Sequence, residues 1–484
     1  MSNDFSIVKP FIWSLLEQGG SKLILLLVQV ILARLLSPEV FGILAILLVV
    51  TQIADSIAQS GIGTALIQKS DSSAMSYSTG WWLSLGLATI LYAAVFLLAP
   101  WIAEYYQMPD LVSYLRVLGL VVFTNSANSI QRSYLQRTMN FKSVFKATSI
   151  AAIFSGIAGV VLAVLGFGVW SLIVQSLFQS VFTGIVMFVQ INWKPSLAFD
   201  YKEAKELFGY GWKICITGIL NVLYSGVSEL IIGRACSASE LGLYSQGRKY
   251  PQAAIGVLSN AIANVLFPSL SAIKNNLDEF RLRLKQALLL GSFIIVPMSF
   301  LSAVVAEPLV ALLLTEKWLP CVLIFQLTCM SNSVLMLQIV NLRAYMALGD
   351  SMLYMKLQIV KVFVGGGLIC GTALVTHDIY ATAVVTFISG LFSVFGVDMV
   401  PAGCLHGYGA ASQIADVARI FILALVASVV ATAVGFLKLA YLPELLFQSA
   451  VFIVVYLLGA KLFHFEELER VLGLVSGLVG RKKR

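Results

Sequence analysis

The sequence predicts an all-α polytopic membrane protein: about fourteen transmembrane helices, two six-helix lobes in parallel pseudo-repeat plus two C-terminal helices. Three observations carry that prediction. Of 484 residues, 59% are hydrophobic and 12% charged, about half the charged share of a soluble protein. The stretch Ala147–Trp193 holds no charged residue. Finally, ILARLLSPEVFGILA (31–45) returns in outline as IIGRACSASELGLYS (231–245), with Ile31, Arg34, Ser37 and Gly42 matching Ile231, Arg234, Ser237 and Gly242.

A bilayer core of about 30 Å needs roughly 20 apolar residues per helix, and marking each such run in order yields the elements. The first six are 8–35, 39–60, 78–103, 110–133, 143–165 and 169–191, the last two turned at Gly166-Phe167-Gly168. The segment INWKPSLAFDYK (191–202), with Pro195 and a shift to charge, separates them from 206–234, 241–267, 283–305, 318–344, 352–375 and 379–402. After CLHGYGA come 414–436 and 441–462. The runs are continuous, unlike the roughly ten-residue alternating strands of an outer-membrane barrel. The first is not a cleavable signal, because Met1 to Lys9 is no basic n-region.

The domains expected are therefore an N-lobe at 1–195, a C-lobe at 196–408, two helices in 409–464 and a tail at 465–484 that reads as an amphipathic, basic cytoplasmic segment meeting anionic lipid. An even number of spans per half preserves orientation, so the halves are parallel repeats, each beginning with the same helical hairpin. Lys and Arg are retained on the cytoplasmic side. Placing both termini there puts 23 of 32 basic residues on that side, Arg132 and Lys361 among them, against Arg34, Arg234, Lys317 and Lys438 outside. The net charge of +8 is then mostly topology, and no nucleic-acid partner is expected. Cys215, Cys236, Cys321, Cys329, Cys370 and Cys404 show no CxxC spacing, and His377, His406 and His464 are scattered. No metal, catalytic residue or cofactor is expected.

Polar residues are costly in lipid, so their angular placement shows which faces avoid it. Ser14, Glu17, Gln18 and Ser21 share one helix face by their i, i+3, i+4, i+7 spacing, and Gln52, Asp55, Ser56 and Gln59 repeat the pattern. Asn125, Asn128, Ser129 and Arg132 mark the fourth span, and Ser245, Arg248, Lys249 and Gln252 the eighth. Such stripes either face a polar cavity or bind helix to helix. Five cations fall within spans: Lys22, Arg116, Lys213, Arg248 and Lys249. Together they suit an anion such as phosphate, which Lys meets as a point charge and Arg as a donor fork. Lys22 pairing with Glu17, and Lys213 snorkelling to the interface, are the structural alternatives. Glu17, Asp55, Glu229 and Asp398 are the acids available for ion coupling or for lining the cavity.

The hairpin LARLLSPEVFGILA, SGIGTALIQ (60–68), QRSYLQRTMNFKSVFKATSI, LGLYSQGRKYPQ (241–252) and NVLFPSLSAIKNN (264–276) resemble the polysaccharide-transport branch of the MOP superfamily, which includes Wzx-type flippases and colanic-acid, O-antigen and teichuronic-acid exporters. The likeness covers about the first 410 residues. It implies two six-helix lobes around a central cavity, alternating access, and an oligosaccharide repeat unit on an undecaprenyl pyrophosphate carrier whose diphosphate meets the cavity cations.

The function expected is translocation of that lipid-linked unit from the cytoplasmic to the outer leaflet of the bacterial inner membrane, without covalent chemistry, beside membrane lipids and a polysaccharide polymerase. A MATE-like drug/cation antiporter is the rival within transport and would favour an acid-rich cavity. A membrane polymerase or glycosyltransferase is the rival of another class and would carry a sizeable aqueous loop.

Overall fold

Long apolar runs interrupted by prolines, glycines and capping side chains fold as helices whose ends those residues set. The computed structural model describes residues 4–59, 61–69, 73–437 and 439–471, with side chains described outside 4–18, 68, 210–214, 217, 221, 260, 264 and 351. Among the described residues the secondary structure is helical throughout. The chain divides into two compact units, Met1–Gly242 and Leu243–Arg484.

The first unit comprises α1 (Asp4–Leu35), α2 (Pro38–Gln59), α3 (Ile62–Gln68), α4 (Ala74–Tyr106), α5 (Leu111–Leu118), α6 (Val121–Arg137), α7 (Phe141–Val164), α8 (Val169–Gln190), α9 (Tyr201–Ala235) and the start of α10 (Ala238–Ser271). Helix α4 begins with a capping box between Ser73 and Ser76, satisfying amide donors that the first turn leaves open. Asn140 caps α7 and Asp200 caps α9 in the same way. The packing face of α7 is a stripe of small residues, Ala147, Ala151, Ser155, Gly159 and Ala163, all buried. At a spacing of four they form one ridge, which lets α1 and α8 approach closely. Ser155 also donates to Gln179 on α8 at 2.8 Å.

The recurrence of Gly42 and Gly242 has a geometric cause. A methyl group on Gly42 would stand 1.8 Å from the carbonyl oxygen of Ala238, and one on Gly242 would stand 1.8 Å from that of Pro38. The contact is reciprocal at the same offset of 200 that relates the two hairpins. Two helix starts cross with backbone against backbone, and only glycine fits at either side.

Segment 191–202, expected as a linker, is docked along the start of α4. Trp193 donates to Ala74 O at 3.1 Å, Trp82 to Ser196 O at 2.8 Å, and the Asp200 amide to Thr79 at 3.1 Å. Beyond the apolar run of α2–α3, Lys69 bridges to Glu203 at 2.8 Å and Glu206 at 3.1 Å. The Glu203 hydrogen bond holds its ammonium above the ordinary lysine range. Arg137 closes the same corner by donating to the carbonyls of Leu66 and Lys69 at 2.8 and 2.6 Å.

The second unit continues α10 and adds α11 (Leu277–Val304), α12 (Ala306–Leu314), α13 (Val322–Ser333), α14 (Leu335–Ala347), α15 (Ser351–Val360), α16 (Gly366–Thr376), α17 (Ile379–Phe392), α18 (Ala402–His406), α19 (Ala410–Thr432) and α20 (Tyr441–Leu462). Two π-helical segments, Lys361–Gly365 and Ser393–Asp398, interrupt the helical runs α15–α16 and α17–α18. Helices α19 and α20 pack on α11 through Phe293, Ile420, Ala424, Ala427 and Phe452. The described part of the tail follows them: Phe465 is buried, and Glu467 pairs with Arg419 at 2.7 Å. The basic end, 472–484, lies outside the described residues.

Among the described residues, ten helices are long and apolar enough to cross a membrane, eleven if α13 and α14, with the 3-10 turn before them and a 42° bend between, make one span. Three of the fourteen expected spans are not among them. These three, 8–35, 110–133 and 206–234, are helical: the first and third run through side chains outside the described residues, and 110–133 is broken into α5 and α6. These are among the stretches that the polar stripes occupy.

Candidate functional site

In the first unit the stripes of α2 and α6 meet a third on α8. Asn125 donates to Asp55 Oδ2 at 2.7 Å and accepts from Ser180 Oγ at 2.5 Å. Ser180 Oγ also lies 2.6 Å from Thr124 Oγ1. Asn128 donates to the Ser180 carbonyl at 2.8 Å, an approach allowed by Gly184, where a methyl would come within 2.5 Å of Asn128 Oδ1. Asp55 Oδ1 is buried and makes no hydrogen bond among the described residues.

This network forms the wall of a polar cleft. One cavity, of about 380 Å³, is lined by Gln59, Asn125, Asn128, Arg132, Gln179 and Ser180 among others. A second, of about 270 Å³, continues along Ser56, Gln59, Ser129, Arg132, Gln136 and Gly218. Gln59, Ser129 and Arg132 line both, so the guanidinium side chain stands where the two join. Among the described side chains the cleft thus offers amides and hydroxyls, which donate and accept, with Arg132 as the cation lining it and Asp55 held behind Asn125.

Among the described side chains, none of the five expected cations lines these cavities. Lys22 is exposed on α1, while its neighbour Ser21 is buried and hydrogen-bonded to Thr148 on α7 at 2.7 Å; the Ser21 end of that stripe binds helix to helix. Arg116 lies 4.0 Å over the Phe96 ring and lines neither cavity. The side chains of Glu17 and Lys213 lie outside the described residues. Glu229 is half-buried on α9 and lines neither cavity.

In the second unit, Arg248 lines a cavity of about 70 Å³ with Gln252, Thr328, Ser331, Asn332 and Thr386. Its guanidinium sits 5.3 Å over the Tyr244 ring. Lys249, one residue on, is half-buried and does not line that cavity. Asp398 is fully buried, with Oδ1 2.6 Å from Lys361 Nζ, Oδ2 accepting from Gln338 at 2.9 Å, and its carbonyl accepting from Tyr345 at 2.6 Å. Two expectations change here. Asp398 is no open cavity acid, and Lys361, counted on the cytoplasmic side, is 2% exposed within a span.

Two residues stand where the sequence only half points. Arg132 belongs to the polar face of the fourth span but, by charge, counts with topology and not with the five cations within spans. Lys361 sits alone between Val360 and Val362, a signal of placement inside a span, but nothing in the sequence points to Asp398 as its partner.

Residues 31–323 match the family described as polysaccharide biosynthesis protein. The chain is similar to the succinoglycan biosynthesis transport protein ExoT of Rhizobium meliloti, 26% identical over 67% of this chain and 65% of that one. It is likewise similar to the lipopolysaccharide biosynthesis protein WzxC of Escherichia coli, 26% identical over 62% and 61%, and to the teichuronic acid biosynthesis protein TuaB of Bacillus subtilis, 25% identical over 56% and 57%. These alignments span somewhat less than two thirds of each relative's length. Among solved structures, the lipid II flippase MurJ in an inward closed conformation shares the fold at a TM-score of 0.76 and 15% identity, over 94% of this chain and 99% of that one. A MATE family multidrug resistance transporter of the MOP superfamily shares it at 0.62 and 14%, over 82% and 94%. With most of its first two thirds matched, this helical membrane protein belongs to the polysaccharide biosynthesis protein family.

Proposed function

We propose that the protein translocates a lipid-linked oligosaccharide from the cytoplasmic to the outer leaflet of the inner membrane by alternating access, as a step in surface polysaccharide biosynthesis, and that it makes and breaks no covalent bond. The observation that carries this reading is the cleft shared by α2, α6 and α8. Amides and hydroxyls from three helices are what sugar hydroxyls require, and a burial this polar in an otherwise apolar chain marks a path for a polar group. Arg132 supplies the donor fork that a phosphate takes. The similar proteins, named for succinoglycan transport and for the biosynthesis of lipopolysaccharide and teichuronic acid, agree in substrate class.

In this reading the carrier is a polyprenyl pyrophosphate whose prenyl chain stays in lipid, a polymerase consumes the translocated unit, and Asp55, with one oxygen left over, couples transport to an ion. The termini are cytoplasmic. Reporter fusions at Asp110 and Arg484 test orientation and should report opposite sides; the same side at both would end it. Export of surface polysaccharide by cells carrying Arg132→Gln, inserted at the normal level, tests the cleft. A fall of about ten- to a hundredfold is expected from the loss of a charge-assisted contact, and undiminished export would remove the cleft from the path.

A further inference from the structure

A third cavity in the first unit shares no lining residue with the cleft. It has a volume of about 610 Å³ and lies between Leu83 of α4 and the start of α9, lined by Phe199, Tyr201, Ala204, Lys205, Phe208 and Gly209. That size falls within the roughly 300–1,000 Å³ of ordinary ligand pockets, and six of its seven lining residues are apolar or aromatic. Its walls are fixed, because the preceding segment is hydrogen-bonded along α4 through Ser196 and Asp200.

The charge around it is sorted by helix geometry. Glu203 and Glu206, one turn apart, point to Lys69. Lys202 and Lys205, also one turn apart, stand on another face, both exposed, and Lys205 lines the groove. Beside them Leu197 is 89% exposed and Tyr201 78%. Exposed aliphatic and aromatic side chains alternating with lysines form the pattern of a segment lying at a membrane interface.

We propose that this groove is a binding site for an anionic phospholipid of the surrounding bilayer: an acyl chain lies along Leu83, Phe199 and Phe208, and the phosphate meets Lys202 and Lys205. The site is separate from the transport cleft, and its occupant holds the segment that joins α8 to α9 against the membrane. The proposal commits to a bilayer lipid because the charge is positive, the lining apolar, and the flanking side chains are those of an interface.

The test uses the full-length protein in phosphatidylcholine nanodiscs containing phosphatidylglycerol with a photoreactive group in its acyl chain. Labelling should map to 199–209 and be competed by unlabelled phosphatidylglycerol. It should fall about fivefold for each of Lys202→Gln and Lys205→Gln, near the contribution of one lysine at an anionic surface. Gly209→Trp should abolish it. A Cβ at Gly209 meets nothing within 4 Å, so the indole fills the groove without displacing a neighbour, and unchanged thermal stability would confirm that. If Gly209→Trp disturbs folding, the lysine double variant decides alone. Equal labelling by a phosphatidylcholine probe, labelling untouched by the lysine variants, or preferential displacement by a polyprenyl phosphate would each overturn the proposal, the last by making the groove part of the transport path.

Discussion

Asp55 on α2 and Asp398 after α17 are both aspartates on helices otherwise fit for lipid, and they differ in what surrounds them. Asp398 has a lysine at 2.6 Å, an amide at 2.9 Å and no exposure. Asp55 has one amide at 2.7 Å, that of Asn125, which lines a cleft of about 380 Å³, and an oxygen that accepts no hydrogen bond among the described residues. A carboxylate buried with its counter-ion is neutralised within the protein and serves packing. One held by a neutral amide whose residue lines an open polar cleft is placed to respond to what enters. The difference separates structural charge from functional charge more sharply than position in a span does.

The largest effect should come from breaking the closed pair. Lys361→Met leaves Asp398 buried without its partner and should cost about 3–5 kcal/mol, seen as a lowered unfolding temperature of the solubilised protein. Replacing both, Lys361→Met with Asp398→Leu, should recover most of that, because a well-packed apolar pair is often as stable as the ion pair it replaces. If the double variant is no more stable than the single, the pair is not acting as a self-contained unit.

Next in size is the cleft cation. Arg132→Gln should lower translocation about ten- to a hundredfold, equivalent to roughly 1.5–3 kcal/mol, with much less change in unfolding temperature than Lys361→Met. A stability loss as large as that of Lys361→Met would place Arg132 with the structural charges. Asp55→Asn should change stability by under about 1 kcal/mol, since Asn125 keeps an acceptor, yet remove any response of transport to a proton or sodium gradient. An unchanged gradient response, measured in vesicles, would end the coupling role.

The smallest effects belong to the exposed ion pairs at or beyond the span ends. Lys285 pairs with Asp416 at 2.7 Å but is nearly half exposed, and Lys285→Ala should cost no more than a few tenths of a kcal/mol. Lys69 behaves alike, with one pH signature. Its raised pKa means that its contribution is present at neutral pH and lost only as the pH rises through that value, so stability between pH 6 and 9 should be insensitive to Lys69→Met apart from a constant offset.

The helices were legible because apolar continuity and turn residues are local signals. Gly166 and Gly168 both adopt positive φ at the turn between α7 and α8, where the sequence put it. Eleven of the fourteen expected spans are met by a straight or bent helical run among the described residues; the fourth shows that a run can be apolar on average and still be broken, as at Gly119-Leu120 between α5 and α6. The cleft was half legible: helical spacing grouped Asp55 with Gln59, and Asn125 with Arg132, but no spacing rule says that α8 completes the wall. Lys361 and Asp398 were least legible. Their pairing spans two helices and depends on two π segments, for which these residues carry no composition signal.

The central claim, that the open centre serves transport and the closed one serves packing, is tested most directly by translocation of a fluorescent lipid-linked oligosaccharide in proteoliposomes, comparing Arg132→Gln with the double variant Lys361→Met and Asp398→Leu at equal reconstituted amounts. The expected result is loss of translocation of about tenfold or more in Arg132→Gln and near-normal translocation in the double variant. Near-normal translocation in Arg132→Gln with loss in a stably folded double variant would contradict the account.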